Sequence, residues 1–156
     1  MARHADVIAL LEPVRRLRTA LAMAEYSSTH HVSKMLKLAH PLIEVRSVPG
    51  IAPGPGYVGH DELRRYFAEA AKHEARAAAV IHRAEVTERG NVLAAGELIS
   101  TRNQASGAIS AWFVYRFRDG LISAVETYLD VETAREQARR RIDGHDLSNT
   151  LHLPSQ

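Results

Sequence analysis

Nine histidines and a few hydroxyls and carboxylates on strand-like segments are the residues of this chain that could do chemistry. Acid–base work needs an imidazole or carboxylate held against a reacting atom. A metal needs several such ligands converging, and His-x-His or Glu-x-x-His spacing supplies them locally. Neither spacing occurs. His30 and His31 are adjacent, so on a helix they diverge. His40 precedes Pro41 at a helix end, an ordinary capping position. His60 opens a helical segment beside Tyr57 and a glycine-rich stretch, which makes it the best histidine candidate for a rim acid or base. His82 and Glu85 share a strand whose facing stays open; a bulge would turn one of them inward. Alternation from Leu98 puts Glu97 outside. No metal and no cofactor is expected. With no cysteine in the chain, disulfides, thiolate catalysis and zinc–thiolate sites are excluded.

The elements that must position these groups follow from hydrophobic period and turn residues. The 156 residues fit one domain, expected over 1–142, with 143–156 a flexible tail. A first helix carries Val7, Leu10, Leu11, Val14, Leu17 and Leu21 at helical spacing, with its main part starting at Pro13. A short helix (Val32, Met35, Leu36, Leu38) stops at Pro41, and "LIEVRSV" reads as a strand. "PGIAPGPGYVG" is a loop, a rim or lid. A third helix then buries Leu63, Tyr66, Phe67 and Ala70. Four strand-like runs follow, then a closing helix that ends in a basic run at Arg139. The net charge of +2, with no basic face, argues against nucleic acid. No apolar run approaches the roughly 20 residues of a membrane span, and a cytoplasmic location is expected.

The last hairpin turns at Asp119–Gly120. A two-residue loop pairs Arg118 with Leu121; a three-residue loop pairs Phe117 with Leu121. The second is favoured, because the first drives Arg116 and Arg118 onto the face of Leu121 and Val125. Thr127 then points inward. Trp112, Val114, Ile122, Ala124 and Tyr128 form an apolar outer face rimmed by Arg116 and Glu126. Such a face suits a homodimer interface or cover by the terminal helix.

Two stretches, "YVGHDELRRYF" and "FRDGLISAVETYLD", carry a resemblance. The first is similar to the Tyr-x-Gly that precedes the third helix in the nuclear transport factor 2-like superfamily. The second resembles that superfamily's Asp-Gly-x-Ile hairpin and closing Tyr-x-Asp. From about Pro13 to Ala138 the chain resembles its SnoaL-like and ketosteroid-isomerase-like domains. The resemblance implies an α+β fold, a cone-shaped curved antiparallel sheet packed on N-terminal helices. Isomerases, cyclases, hydrolases and non-enzymatic subunits share that fold, so it does not settle function. The ketosteroid isomerase positions fall here near Ser47, Leu17 and Phe113, and those of limonene epoxide hydrolase near Gly96, Leu98 and Thr127. None carries the family's acid or base.

The cone is therefore expected to hold a hydrophobic small molecule against Ser47, Tyr57, Leu98, Ser100, Phe113, Tyr115, Val125, Thr127 and Leu129. His60, Tyr115 and Thr127 are its candidates for catalysis. The alternative is a non-catalytic dimeric interaction subunit that works through the outer face.

Overall fold

The computed structural model describes residues 4–46, 56–72, 76–102 and 105–140. In chain order the elements are α1 (His4–Ser28), α2 (Val32–Leu38), β1 (Ala39–Arg46), β2 (Tyr57–Val58), α3 (Gly59–Lys72), β3 (Arg76–Val86), β4 (Val92–Arg102), β5 (Ala105–Arg118), β6 (Leu121–Tyr128) and α4 (Val131–Arg139). The six strands form one curved, unclosed sheet in the order β2-β1-β6-β5-β4-β3. Helices α1 to α3 cover its inner face, and the expected α+β architecture is observed. The sheet is mixed: β3 to β6 are antiparallel, whereas β1 runs parallel to β6. No hairpin joins those two strands, so no tight turn dictates an antiparallel pairing. Ser47, most of the proline–glycine loop and the tail from 143 lie outside the described residues.

Two prolines sit differently from the sequence reading. Helix α1 continues through Pro13 from His4. A proline forfeits one hydrogen bond, a local loss that long flanking turns can absorb. Pro41 lies inside β1, which begins at Ala39. The register of β1 against β6 shifts between Ala39 and Glu44, an irregularity that spares the ladder a missing N–H. The buried stripe of α1 is also displaced. Leu11, Val14 and Leu21 are 45–49% exposed, while Ala20, Met23 and Ala24 are buried.

Two bulges decide which side chains face inward. In β3 the pairing with β4 shifts between Ile81 and Arg83. His82 is the extra residue, so Ala79, Ile81, Ala84 and Val86 all pack on the inner core. Opposite the bulge stands Gly96, where a Cβ would collide with the Val80 carbonyl oxygen. The bulge brings neither candidate inward. The His82 ring is outside, with Nε2 3.7 Å from Glu97 Oε1. Glu85 lines an outer groove with Leu93 and Trp112.

The second bulge lies in β6. Asp119 (φ 55°) and Gly120 (φ 78°) form the two-residue loop that the side-chain pattern disfavoured, pairing Arg118 with Leu121. Both angles are positive, as a type I′ turn requires. One step on, the register shifts at Ser123, after which Arg116 faces Ala124 and Phe113 faces Thr127. The slip returns Arg116 to the outer face and removes the objection to the short loop. It also moves Ile122: expected outside, it is buried in the inner core with Phe113 and Tyr115.

The outer face is covered by the chain's own last helix. Ala134 and Ala138 of α4 pack on Leu93 and Val114, flanked by Trp112 and Tyr128. Asp130 caps α4, accepting from Thr133 N at 2.8 Å and from Thr133 Oγ1 at 2.7 Å. These bonds hold its carboxyl below the ordinary carboxylate range. Arg116 and Glu126, expected on an exposed rim, are 2% and 3% exposed. Arg116 donates Nε and Nη2 to the two Glu126 oxygens, both at 3.1 Å. It also donates to the carbonyls of Gln137 (2.9 Å) and Arg140 (3.1 Å) at the end of α4. Val114, Arg116, Ala124 and Glu126 are thus buried within one chain, and the face they form needs no second subunit to cover it.

Asn91 secures the same helix end, donating Nδ2 to the carbonyls of Ala138 and Arg140, both at 2.8 Å. Asn91→Ala removes two hydrogen bonds, although the Ala138 and Arg140 carbonyls keep Thr87 Oγ1 and Arg116 Nη1 as donors, and is expected to cost about 1–3 kcal/mol in urea unfolding. An unchanged midpoint would mean that α4 is not held there.

Candidate functional site

A cavity of about 110 Å³ lies between the inner face of the sheet and helices α1 to α3. Sixteen residues line it, and five of them carry hydroxyls: Ser27, Tyr57, Tyr66, Tyr115 and Thr127. The other eleven are apolar, among them Met23, Met35, Leu63, Leu98, Phe113 and Val125. No carboxylate, imidazole, ammonium or guanidinium is among the described lining residues.

Strand alternation supplies much of the wall. Phe113 and Tyr115 on β5 pair with Thr127 and Val125 on β6, and all four point into the cavity. Tyr115 is 1% exposed, and burial raises its hydroxyl well above the ordinary tyrosine range. Burial also raises Tyr66 and Tyr57, whose rings meet 4.6 Å apart at the end where β1 gives way to β2. At neutral pH such phenols keep their protons. They can donate or accept hydrogen bonds, but they do not supply a base.

Of the residues expected in the cone, Tyr57, Leu98, Phe113, Tyr115, Val125 and Thr127 line the cavity. Ser100 and Leu129 do not. Ser100 is exposed on the far half of β4, beyond the cavity. Leu129 follows the last residue of β6, where strand alternation has ended, and is 46% exposed. His60 is also elsewhere. Its Nε2–H donates to the Ala39 carbonyl at 3.0 Å, tying α3 to β1, and its ring lines a separate groove between α2 and α3. His40 has a local role too, its Nδ1 accepting from the Leu42 amide at 3.0 Å.

The helical side of the wall was missed by sequence reasoning. Met23 and Ser27 were available as a signal: with Ala20 and Ala24 they recur at i, i+3, i+4 and i+7. The larger leucines before them masked that stripe.

The family model of the SnoaL-like domain matches residues 14–125. The chain belongs to the SnoaL-like family. Solved structures agree on the fold. Bal32a, from a soil-derived mobile gene cassette, superposes with a TM-score of 0.66 at 12% identity, covering 83% of this chain and 99% of its own. An epoxide hydrolase of the LEH-like type from M. tuberculosis gives 0.64 at 13% identity, covering 90% and 97%. RV0760c from Mycobacterium tuberculosis, in complex with estradiol-17beta-hemisuccinate, gives 0.62 at 15% identity, covering 76% and 95%. No curated protein sequence matches significantly. Within this SnoaL-like chain the inner cavity lies between the sheet and helices α1 to α3, and α4 covers the other face. Among the described residues no helix is long and apolar enough to cross a membrane.

Proposed function

We propose that the inner cavity of this SnoaL-like protein binds a small, neutral, largely apolar molecule about the size of one ring. The observation that carries this reading is the lining: apolar walls and five hydroxyls, with no carboxylate, imidazole, ammonium or guanidinium among the described residues. Apolar walls favour an apolar body, and a few placed hydroxyls orient one polar group on it. Size sets the upper bound. An apolar cavity of about 150 Å³ takes up benzene, so about 110 Å³ suits a single ring at most unless the walls move. The complex of RV0760c with a steroid derivative supports ligand binding on this fold. Tyr115 and Thr127, on the inner face of neighbouring strands of one hairpin, are proposed as the orienting hydroxyls. Proton transfer is not assigned to them, because burial holds the Tyr115 proton in place.

The test uses two probes of nearly equal shape, phenol and toluene. Phenol is expected to raise the melting temperature more than toluene at equal concentration. In Tyr115→Phe/Thr127→Val that preference should fall by about 2–10-fold in affinity, the worth of one net hydrogen bond. If the variant keeps the full preference for phenol, these hydroxyls do not orient the ligand. If neither probe shifts melting, the cavity is not a binding site.

A further inference from the structure

On the other side of α3 lies a second concavity, of about 720 Å³, between α2 and α3. Its apolar surface comes from Val32, Leu36 and Phe67. Its charged edge comes from Lys37 on α2 and Arg64 on α3, with His60 beside them. Ala68 and Ala71 complete the α3 side, exposed positions where small side chains leave a shelf instead of a charged fringe. No acidic residue lines the groove among the described residues. The local sign is therefore positive, although the whole chain is only +2.

The two cations are available. Lys37 is exposed and makes no ion pair with a described carboxylate. Arg64 pairs with Asp61 at 2.9 Å, but that carboxylate is 90% exposed, so the pair is weak and exchangeable. A volume of this size falls within the ordinary range for small-molecule sites. The apolar base asks for a hydrocarbon body and the charged edge for an anionic head.

We propose that the groove between α2 and α3 is a second site, on the opposite side of Phe67 from the inner cavity, for a small amphipathic carboxylate. The hydrocarbon chain lies on Val32, Leu36 and Phe67. The carboxylate accepts hydrogen bonds from Lys37 and Arg64, with Asp61 released to solvent.

Calorimetric titration of the full chain with octanoate, against the neutral isostere octanol, tests this. Octanoate is expected to bind about tenfold more tightly at low salt, and the difference should shrink as ionic strength rises. Lys37→Glu/Arg64→Glu should abolish the preference, and Lys37→Gln/Arg64→Gln should reduce octanoate to the level of octanol. Both positions are exposed, so both variants should melt as the parent does. Saturating phenol should not displace octanoate, since Phe67 is the one described residue that lines both spaces and Lys37 and Arg64 do not line the inner cavity. Equal affinity for octanol, or full octanoate affinity in the charge-reversed variant, would overturn the proposal. So would binding to phosphatidylglycerol vesicles without binding of free octanoate, which would point to a membrane surface. Displacement of octanoate by phenol would place octanoate in the inner cavity and overturn the second site alone.

Discussion

Glu126→Ala is expected to destabilise the fold by about 3–5 kcal/mol, because it strands the Arg116 guanidinium in a buried position. Glu126 is the hub of the covered outer face. Both of its oxygens accept from Arg116, Oε1 also accepts from the Tyr128 hydroxyl at 2.7 Å, and Arg46 Nη1 lies 3.6 Å from Oε2. Burial, with the bond to Glu126 added, raises the Tyr128 hydroxyl above its ordinary range, so it remains a donor to the carboxylate. Removing the carboxylate leaves one charge uncompensated and one phenol without its acceptor. The double variant Arg116→Met/Glu126→Leu removes both charges and should lose much less, although the Gln137 and Arg140 carbonyls then keep only the Arg140 amide and Asn91 Nδ2 as donors. Urea unfolding of the two variants measures the difference. A loss below about 1 kcal/mol in Glu126→Ala, the range of a surface pair, would mean that α4 does not seal this face.

Phe113→Ala is the second large effect, with an expected loss of about 3–5 kcal/mol. Phe113 is 2% exposed and stands between the inner core and the cavity, opposite Thr127. Its ring fills space that neighbouring strands, held by their ladders, cannot close. The lost volume should merge with the existing cavity, so the variant should prefer a two-ring ligand such as naphthalene where the parent prefers toluene. A ligand at about 100 times its Kd returns about 2.7 kcal/mol, so naphthalene should recover a measurable part of the lost stability. A variant that loses stability without gaining naphthalene binding would mean that Phe113 packs away from the cavity.

Much of the fold was legible in the sequence because its signals were strong and local. The third helix carries a clean stripe, and Leu63 and Phe67 are buried as that stripe requires. Phe113, Tyr115, Val125 and Thr127 were placed inward correctly, although the register proposed for their hairpin was not the one adopted. Two departures cancelled there: a shorter loop and a bulge at Ser123. Periodicity reads the face of a side chain and is blind to which loop and bulge deliver it. Ile122 and Leu129 were misplaced for the same reason, as they sit before the bulge and after the strand. Arg116 and Glu126 were given to a rim because each alone is costly to bury. Only their pairing, and the carbonyls of α4 that arrive from later in the chain, make the burial tolerable. His60 was drawn to the cavity by its neighbours in sequence, whereas the helix turns its ring to the far side.

The most direct test of the inner site is methyl-resolved NMR saturation transfer during titration with phenol. Saturation should pass from phenol to the methyl groups of Met23, Met35, Leu63, Leu98 and Val125, the apolar walls around Tyr115 and Thr127. Transfer confined to Val32 and Leu36 in the outer groove, or to no methyl at millimolar phenol, would contradict a ligand site inside the cone.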